Sequence, residues 1–377
     1  DHRDLHYPLR RQRQMCIRDS YIHVPFCLHR CTYCDFNTYA GLLDLRPVYV
    51  EALKHEIRLR AERYRDAKAK TLYFGGGTPS LLALEGVPSV IKEVRRHFDL
   101  SEKAEITLEA NPGTVNEALL VALRRAGVNR LSFGAQSAHA EDLQILGRIH
   151  TWDEVVQAVR LARQAGFDNI NLDLIFGLPG QTLARWVQTL ETALALVPQH
   201  LSLYALTLEP GTPLAEAVAL DEVARPDPDL AADMYEAASA YLLAKGFWQY
   251  EISNWALGSV RPPRSWALPP GEKTESIGPW VCKHNLVYWR NEAWLGLGAG
   301  AHSWFRQRRW RNLPHPSRYI QAIQSGRLKG TDVEVIEVAL AQGETMMMGL
   351  RLAEGVTDSR FRKRFGVCLL YTSDAAD

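Results

Sequence analysis

From residue 21 onward, short runs rich in β-branched and aromatic residues alternate with longer stretches whose apolar positions recur at helical spacing. The runs at 21–24, 71–74, 105–109, 130–133, 169–175 and 201–206 predict strands, and 48–64, 116–126, 152–165 and 183–196 predict helices between them. Such alternation builds a parallel sheet from βα units. Six units predict an α/β fold, an open (β/α) barrel whose functional side chains gather at the C-terminal strand ends. The alternation stops after Pro210, and Pro226, Asp227 and Pro228 precede a helix expected over 230–245. A boundary near residue 222 follows, with a barrel over 21–222 and a smaller α+β domain over 223–367. Residues 257–280 hold Pro262, Pro263, Pro269, Pro270 and Pro279 and predict a long surface loop.

The two ends do not read as protein. Residues 10–20, RRQRQMCIRDS, resemble a translated sequencing adapter, residues 1–6 resemble translated primer, and 7–9 would be index bases. Residues 368–377, CLLYTSDAAD, resemble the same adapter read from the opposite strand, with Val367 at the junction. Residues 1–20 and 368–377 are therefore expected to be non-native. Removing them takes away five Arg and five Asp, so the net charge stays at +1, with no electrostatic footprint for nucleic acid.

Of the six cysteines, Cys16 and Cys368 fall in those ends, leaving Cys27, Cys31, Cys34 and Cys282. Three of them crowd into YIHVPFCLHRCTYCDF, directly after the first expected strand. Such crowding, without a signal peptide or long apolar span, suggests a metal site in a reducing compartment, and a cytoplasmic protein. The CxxxCxxC spacing puts three thiolates on one loop, enough to ligate three irons of a 4Fe-4S cubane and leave the fourth open. A zinc site is the alternative; it needs a fourth ligand, which His23 or His29 would supply.

With these motifs in view, residues 21–220 resemble the radical S-adenosylmethionine barrel shared by coproporphyrinogen dehydrogenases and HemW-type heme chaperones. The resemblance implies S-adenosylmethionine on the open iron, bound by residues at successive strand ends. In GGGTPS these are Gly76, Gly77 and Thr78, where the missing Cβ atoms let backbone approach the cofactor. They continue with Glu109 of LEANPGT, facing the cofactor ammonium, Gln136 of SFGAQS, Arg148 of LGRIHT for its carboxylate, and Asp173 of INLDLIF for ribose hydroxyls. Tyr21 and Tyr33 complete the set.

Dehydrogenases of this kind carry a further Cys two positions after the last cluster ligand, where this chain has Phe36; the CDF form resembles the heme chaperones. CKHNLVYW likewise matches their HNxxYW pattern, which implies a heme site including His284, Asn285, Tyr288 and Trp289. Histidine can ligate heme iron and the aromatics can pack on the macrocycle; a satisfied core histidine is the plainer reading. Cys282 reads as a buried thiol. The resemblance thus implies a heme chaperone delivering heme to recipient hemoproteins, with a flavodoxin or ferredoxin as reductant and possible peripheral membrane association. An oxygen-independent coproporphyrinogen III dehydrogenase is the alternative. Residues 257–280 separate SNWA from CKHN by more than this family suggests.

Overall fold

The computed structural model describes residues 19–64, 68–258, 274–327 and 330–369. Most of the adapter-like ends and most of the proline-rich stretch lie outside these. Six strands, β1 (Asp19–Val24), β2 (Lys68–Gly76), β3 (Asp99–Ala110), β4 (Arg130–Gln136), β5 (Ile170–Phe176) and β6 (His200–Ala205), pair in parallel in sequence order. Helices Arg46–Arg63, Gly86–His97, Glu117–Ala126, Trp152–Gln164 and Leu183–Leu194 fall in the successive crossovers. The pattern does not mark Gly86–His97, which takes Pro88 in its first turn, where an amide has no helical partner to lose.

The later residues extend the same sheet at both edges. The hairpin β7 (Phe247–Glu251) and β8 (Asn254–Leu257) pairs antiparallel with β6 through β8. At the other edge β9 (Trp294–Leu297) runs parallel to β1, followed antiparallel by β10 (His302–Phe305), β11 (Arg308–Arg311) and β12 (Thr331–Val335). The described residues thus give a twelve-stranded open sheet in the order β12-β11-β10-β9-β1-β2-β3-β4-β5-β6-β8-β7. The expected boundary near 222 falls just after helix Pro213–Ala219.

Side chains alternate along the central stretches of the parallel strands. Ile22, Leu72, Phe74, Ile106, Leu108, Leu131, Phe133, Leu172, Leu174, Leu201 and Leu203 form the core with the surrounding helices. The intervening positions form a polar inner face: Tyr73 pairs in register with Thr107, Ser132 with Asn171, and Asn171 with His200. A parallel sheet covered on both faces by apolar layers would read as near-continuous apolar runs. The period of two in TLYF, RLSF, NLDL and HLSL therefore signals a hydrated or ligand-bearing interior.

One buried carboxylate ties the β9–β12 edge of this architecture to the first helix. Glu56 accepts from Arg60 Nε (3.2 Å), Asn312 Nδ2 (2.9 Å), Gly298 N (2.8 Å) and Tyr319 Oη (2.7 Å). Its two oxygens are thereby satisfied without water, the condition under which a buried charge is tolerated.

Candidate cluster and cofactor site

The loop after β1 brings the three clustered cysteines to the C-terminal end of the barrel. Phe26–Cys27 pairs with Tyr39–Ala40, pinning the loop's ends together. Thr32 donates from its amide to Leu146 O (3.2 Å) and from its hydroxyl to Ile145 O (2.7 Å), which tethers the middle. Cys27 is buried, Cys31 and Cys34 are half-buried, and all three are free thiols. Thr78 Oγ1 donates to Cys27 Sγ (3.7 Å), Arg148 Nη1 to Cys31 Sγ (3.4 Å), and Thr38 Oγ1 lies 3.9 Å from Cys34 Sγ. Burial pushes the Cys27 and Cys34 thiols up from their ordinary pKa. A bound cation would reverse that, since metal coordination deprotonates a thiol. Among the described residues no three His, Cys, Asp or Glu side chains are grouped to hold a single ion. The zinc alternative asks for tetrahedral closure on one point, whereas a cubane spreads three thiolates over three irons; the donor set fits the cluster.

The strand-end residues converge beside this loop. Gly76 sits at φ +110°, and a Cβ there would lie 2.4 Å from His23 Cε1; at Gly77 a Cβ would lie 2.7 Å from Phe26 O. Only glycine lets β2 pass so close to the cysteine loop. Glu109 accepts from Tyr73 Oη (2.7 Å) and Gly76 N (3.1 Å). Burial raises its pKa to about 7, against the two hydrogen bonds and with help from the Asp173 charge. Asp173 accepts from Ser132 Oγ (3.0 Å) and Asn171 Nδ2 (2.8 Å), and burial raises it too. Gln136 is buried at φ +65° at the end of β4.

Arg148 is held by Asn111 Oδ1 (2.6 Å) and Gly134 O (2.8 Å), so one guanidinium links β3, β4 and Cys31. The Thr151–Glu154 capping box begins the next helix three residues later and fixes this loop. Tyr33 packs with Leu146, Ile175, Leu178 and Leu206, and burial raises its phenol. A small cavity of about 90 Å³ opens between Cys31, Arg148, Asn111 and His150.

His284, Asn285, Tyr288 and Trp289 stand elsewhere. Helix Lys283–Trp289 closes the opposite, N-terminal end of the barrel, with Glu105 accepting from the amides of Lys283 (3.2 Å) and His284 (3.1 Å) at its first turn. His284 is 3 % exposed; its Nδ1 lies 3.1 Å from Thr71 Oγ1 and its Nε2 3.1 Å from Tyr288 Oη. Nδ1 is also 2.7 Å from the Asp19 carboxylate, but neither Asp19 oxygen is aligned for a hydrogen bond. Burial lowers His284 to about 3 and raises Asp19, so both favour their neutral forms rather than an ion pair. Thr71 is therefore the aligned hydrogen-bond partner at Nδ1. Asn285 Nδ2 donates to Glu251 Oε1 (3.0 Å), and Arg351 lies over the Trp289 ring. Both ring nitrogens of His284 are thus occupied, as in the core-histidine reading.

A column of contacts nevertheless joins the two ends: Gly76 N to Glu109, Glu109 to Tyr73, and Tyr73 stacked on His284 at 4.5 Å between centroids. Tyr73, Asn111 and Thr38 were not among the expected site residues. Tyr73 and Asn111 each stand at a polar position of the inner face or strand end, a signal in the alternation itself. Thr38 lies only four residues from Cys34, with no pattern to mark it. Cys282 is buried and its thiol is pushed up to about 12 by burial.

Residues 21–193 match the family model described as the radical SAM superfamily. The chain is 38 % identical over 343 residues to a protein named heme chaperone HemW from Mycobacterium tuberculosis strain CDC 1551, covering 90 % of this chain and 83 % of that protein. It is 35 % identical to the heme chaperone HemW of Bacillus subtilis strain 168, covering 93 % of this chain and 87 % of that one. Coproporphyrinogen III oxidase from Escherichia coli superposes with a TM-score of 0.79 at 22 % identity, covering 96 % of this chain and 81 % of that one, a likeness of fold.

Proposed function

This chain belongs to the heme chaperone HemW family within the radical SAM superfamily, and on that premise we propose that it binds heme and passes it to recipient hemoproteins. The likeness over nine tenths of the chain carries this reading. Cys27, Cys31 and Cys34 hold a 4Fe-4S cluster, and Tyr21, Tyr33, Gly76, Gly77, Thr78, Glu109, Gln136, Arg148 and Asp173 form the S-adenosylmethionine pocket. When bound, the reduced cluster supplies an electron to the sulfonium. Arg148 offsets charge at the Cys31 thiolate, Thr78 does so at Cys27, and Glu109 offers a carboxylate to the cofactor ammonium beside the Gly76 amide. The barrel over 21–222 and the α+β part over 223–367 act as one unit because they share a sheet.

His284, Asn285, Tyr288 and Trp289 meet heme once helix Lys283–Trp289 leaves the barrel floor, freeing the His284 nitrogens now taken by Thr71 and Tyr288. Cytoplasmic residence, a flavodoxin- or ferredoxin-type reductant and peripheral membrane association belong to the same reading. Among the described residues no helix is long and apolar enough to cross a membrane. Anaerobic reconstitution followed by heme titration tests the reading. Stoichiometric heme binding, weakened by His284→Ala and followed by transfer to an apo-hemoprotein, is the expected outcome. Turnover of coproporphyrinogen III to protoporphyrinogen without heme transfer would replace the chaperone with the dehydrogenase.

A further inference from the structure

A cavity of about 420 Å³ lies far from the cysteine loop, between the C-terminal end of helix Arg46–Arg63 and the β10–β11 turn. We propose that it is a second binding site, for a flat-bodied ligand carrying carboxylate or phosphate groups. Four arginines line it, together with the rings of Tyr64, Phe305 and Trp310. Arg60 is held internally by Glu56 and Asn312. Arg63, Arg306 and Arg308 pair with no carboxylate among the described residues.

The strand register explains why. Phe305 pairs with Arg308 and Ser303 with Trp310, so the two-residue period puts Arg308 and Trp310 on the cavity side and Arg309 and Arg311 on the other. The neighbouring acids are on that other side: Arg309 meets Glu344 and Glu334, and Arg311 meets Asp332. Among the described residues, the cavity is left with guanidinium groups and no counter-charge. Their planar forks suit carboxylate and phosphate oxygens in pairs.

Two further observations point to a ligand. Trp310 is 7 % exposed, and its Nε1–H has no acceptor among the described residues. A buried donor without a partner marks a place where an acceptor is expected. Beside it stands Gly330, where a Cβ would lie 2.7 Å from Trp310 Cδ1, so the backbone can approach the indole this closely only with glycine there. Second, Arg306 and Gln307 form the turn at φ +50° and +61°. Two-residue hairpin turns favour Asn-Gly there, so Arg306 is held in an unfavoured conformation at the cavity's rim. The aromatic lining is interleaved with the guanidinium groups: Arg306 lies over Phe305 at 4.9 Å, Arg63 over Tyr64 at 5.9 Å, and Tyr64 meets Phe305 edge-on at 5.2 Å. Among the described residues no His, Cys or Met lines the cavity, so recognition goes through the anion and the flat body rather than through a metal.

Two probes separate the sources of that chemistry: metal-free protoporphyrin IX, a flat dicarboxylate without iron to ligate His284, and ATP, a flat base bearing phosphates. Each is titrated into the full chain and followed by equilibrium dialysis. R306E/R308E alters exposed side chains and is expected to weaken the bound probe at least tenfold, with thermal unfolding unchanged. W310F, which keeps an aromatic ring but removes the indole N–H together with its fused pyrrole, is expected to weaken it about threefold to tenfold. Porphyrin affinity alone lost would identify a carboxylate ligand, and ATP affinity alone a phosphate ligand. Binding of neither probe, or affinities unchanged by R306E/R308E, would overturn the proposal, whatever the outcome of heme transfer.

Discussion

Glu109 is the group whose charge the site controls most directly, and substituting it by Gln isolates that control. The carboxyl moves from 4.5 to about 7 because burial outweighs its hydrogen bonds from Tyr73 and Gly76. At about 1.4 kcal/mol per tenfold change, this corresponds to roughly 3 kcal/mol between the folded and unfolded states. Its sign follows from proton counting. The folded value lies above the unfolded one, so between pH 4.5 and about 7 the folded state holds more protons. Stability therefore falls as pH rises through that window and stays low above it. A glutamine side chain cannot titrate; it keeps one acceptor oxygen where the carboxylate has two, at a pH-independent cost of about 1 kcal/mol. Urea unfolding of the two apo proteins should accordingly show the variant gaining roughly 3 kcal/mol on the parent from mildly acid to mildly alkaline solution. A second arm reads the same group with cofactor present. An ammonium placed against Glu109 lowers its pKa, so S-adenosylmethionine binding near neutrality should release about half a proton from the parent and none from this position in E109Q. Calorimetry in buffers of differing ionisation enthalpy measures this. A stability difference flat with pH would refute the raised carboxyl, and equal proton release in both proteins would remove Glu109 from the ammonium site.

Other consequences are simpler. Glu56→Ala leaves Arg60, Asn312 and Tyr319 buried without their common acceptor and should cost about 3–5 kcal/mol in chemical unfolding, while Glu56→Gln should cost less. Glu354 lies between Arg290 and Arg360; burial pushes its carboxyl up, but the hydrogen bonds and charge of Arg290 together with the hydrogen bonds from Thr274 outweigh it and hold the pKa at about 2. Its contribution is fully present above the unfolded value of 4.5 and disappears as pH falls toward 2; after screening it amounts to about 1–2 kcal/mol. Acid unfolding of Glu354→Gln should therefore show a shallower dependence over that range. Iodoacetamide at mildly alkaline pH should leave Cys282 unlabelled in the folded chain, since burial keeps its thiol protonated; rapid labelling seen by mass spectrometry would contradict its burial.

The βα alternation and the CxxxCxxC spacing, both local in sequence, determined the six-strand open barrel and the placing of Cys27, Cys31 and Cys34 after its first strand. Glycines 76 and 77 were legible for the same reason, because a close backbone approach leaves only one residue type. The destination of CKHNLVYW was not legible. Its aromatic and histidine content suits a heme face or a packed core equally, and only the long-range meeting with Glu105 and Thr71 put His284 beneath the barrel. Nor does the local pattern tell that residues after 222 extend both edges of one sheet, since edge pairing depends on backbone groups that carry no side-chain signature. The arginine cavity is the clearest case. RQRRWR reads as an ordinary basic stretch, and it is the tertiary structure that sorts Arg309 and Arg311 toward acids and turns Arg306 and Arg308 toward a cavity without counter-charge among the described residues. A two-residue period assigns alternate side chains to opposite faces, but only packing against the first helix decides which face acquires a partner.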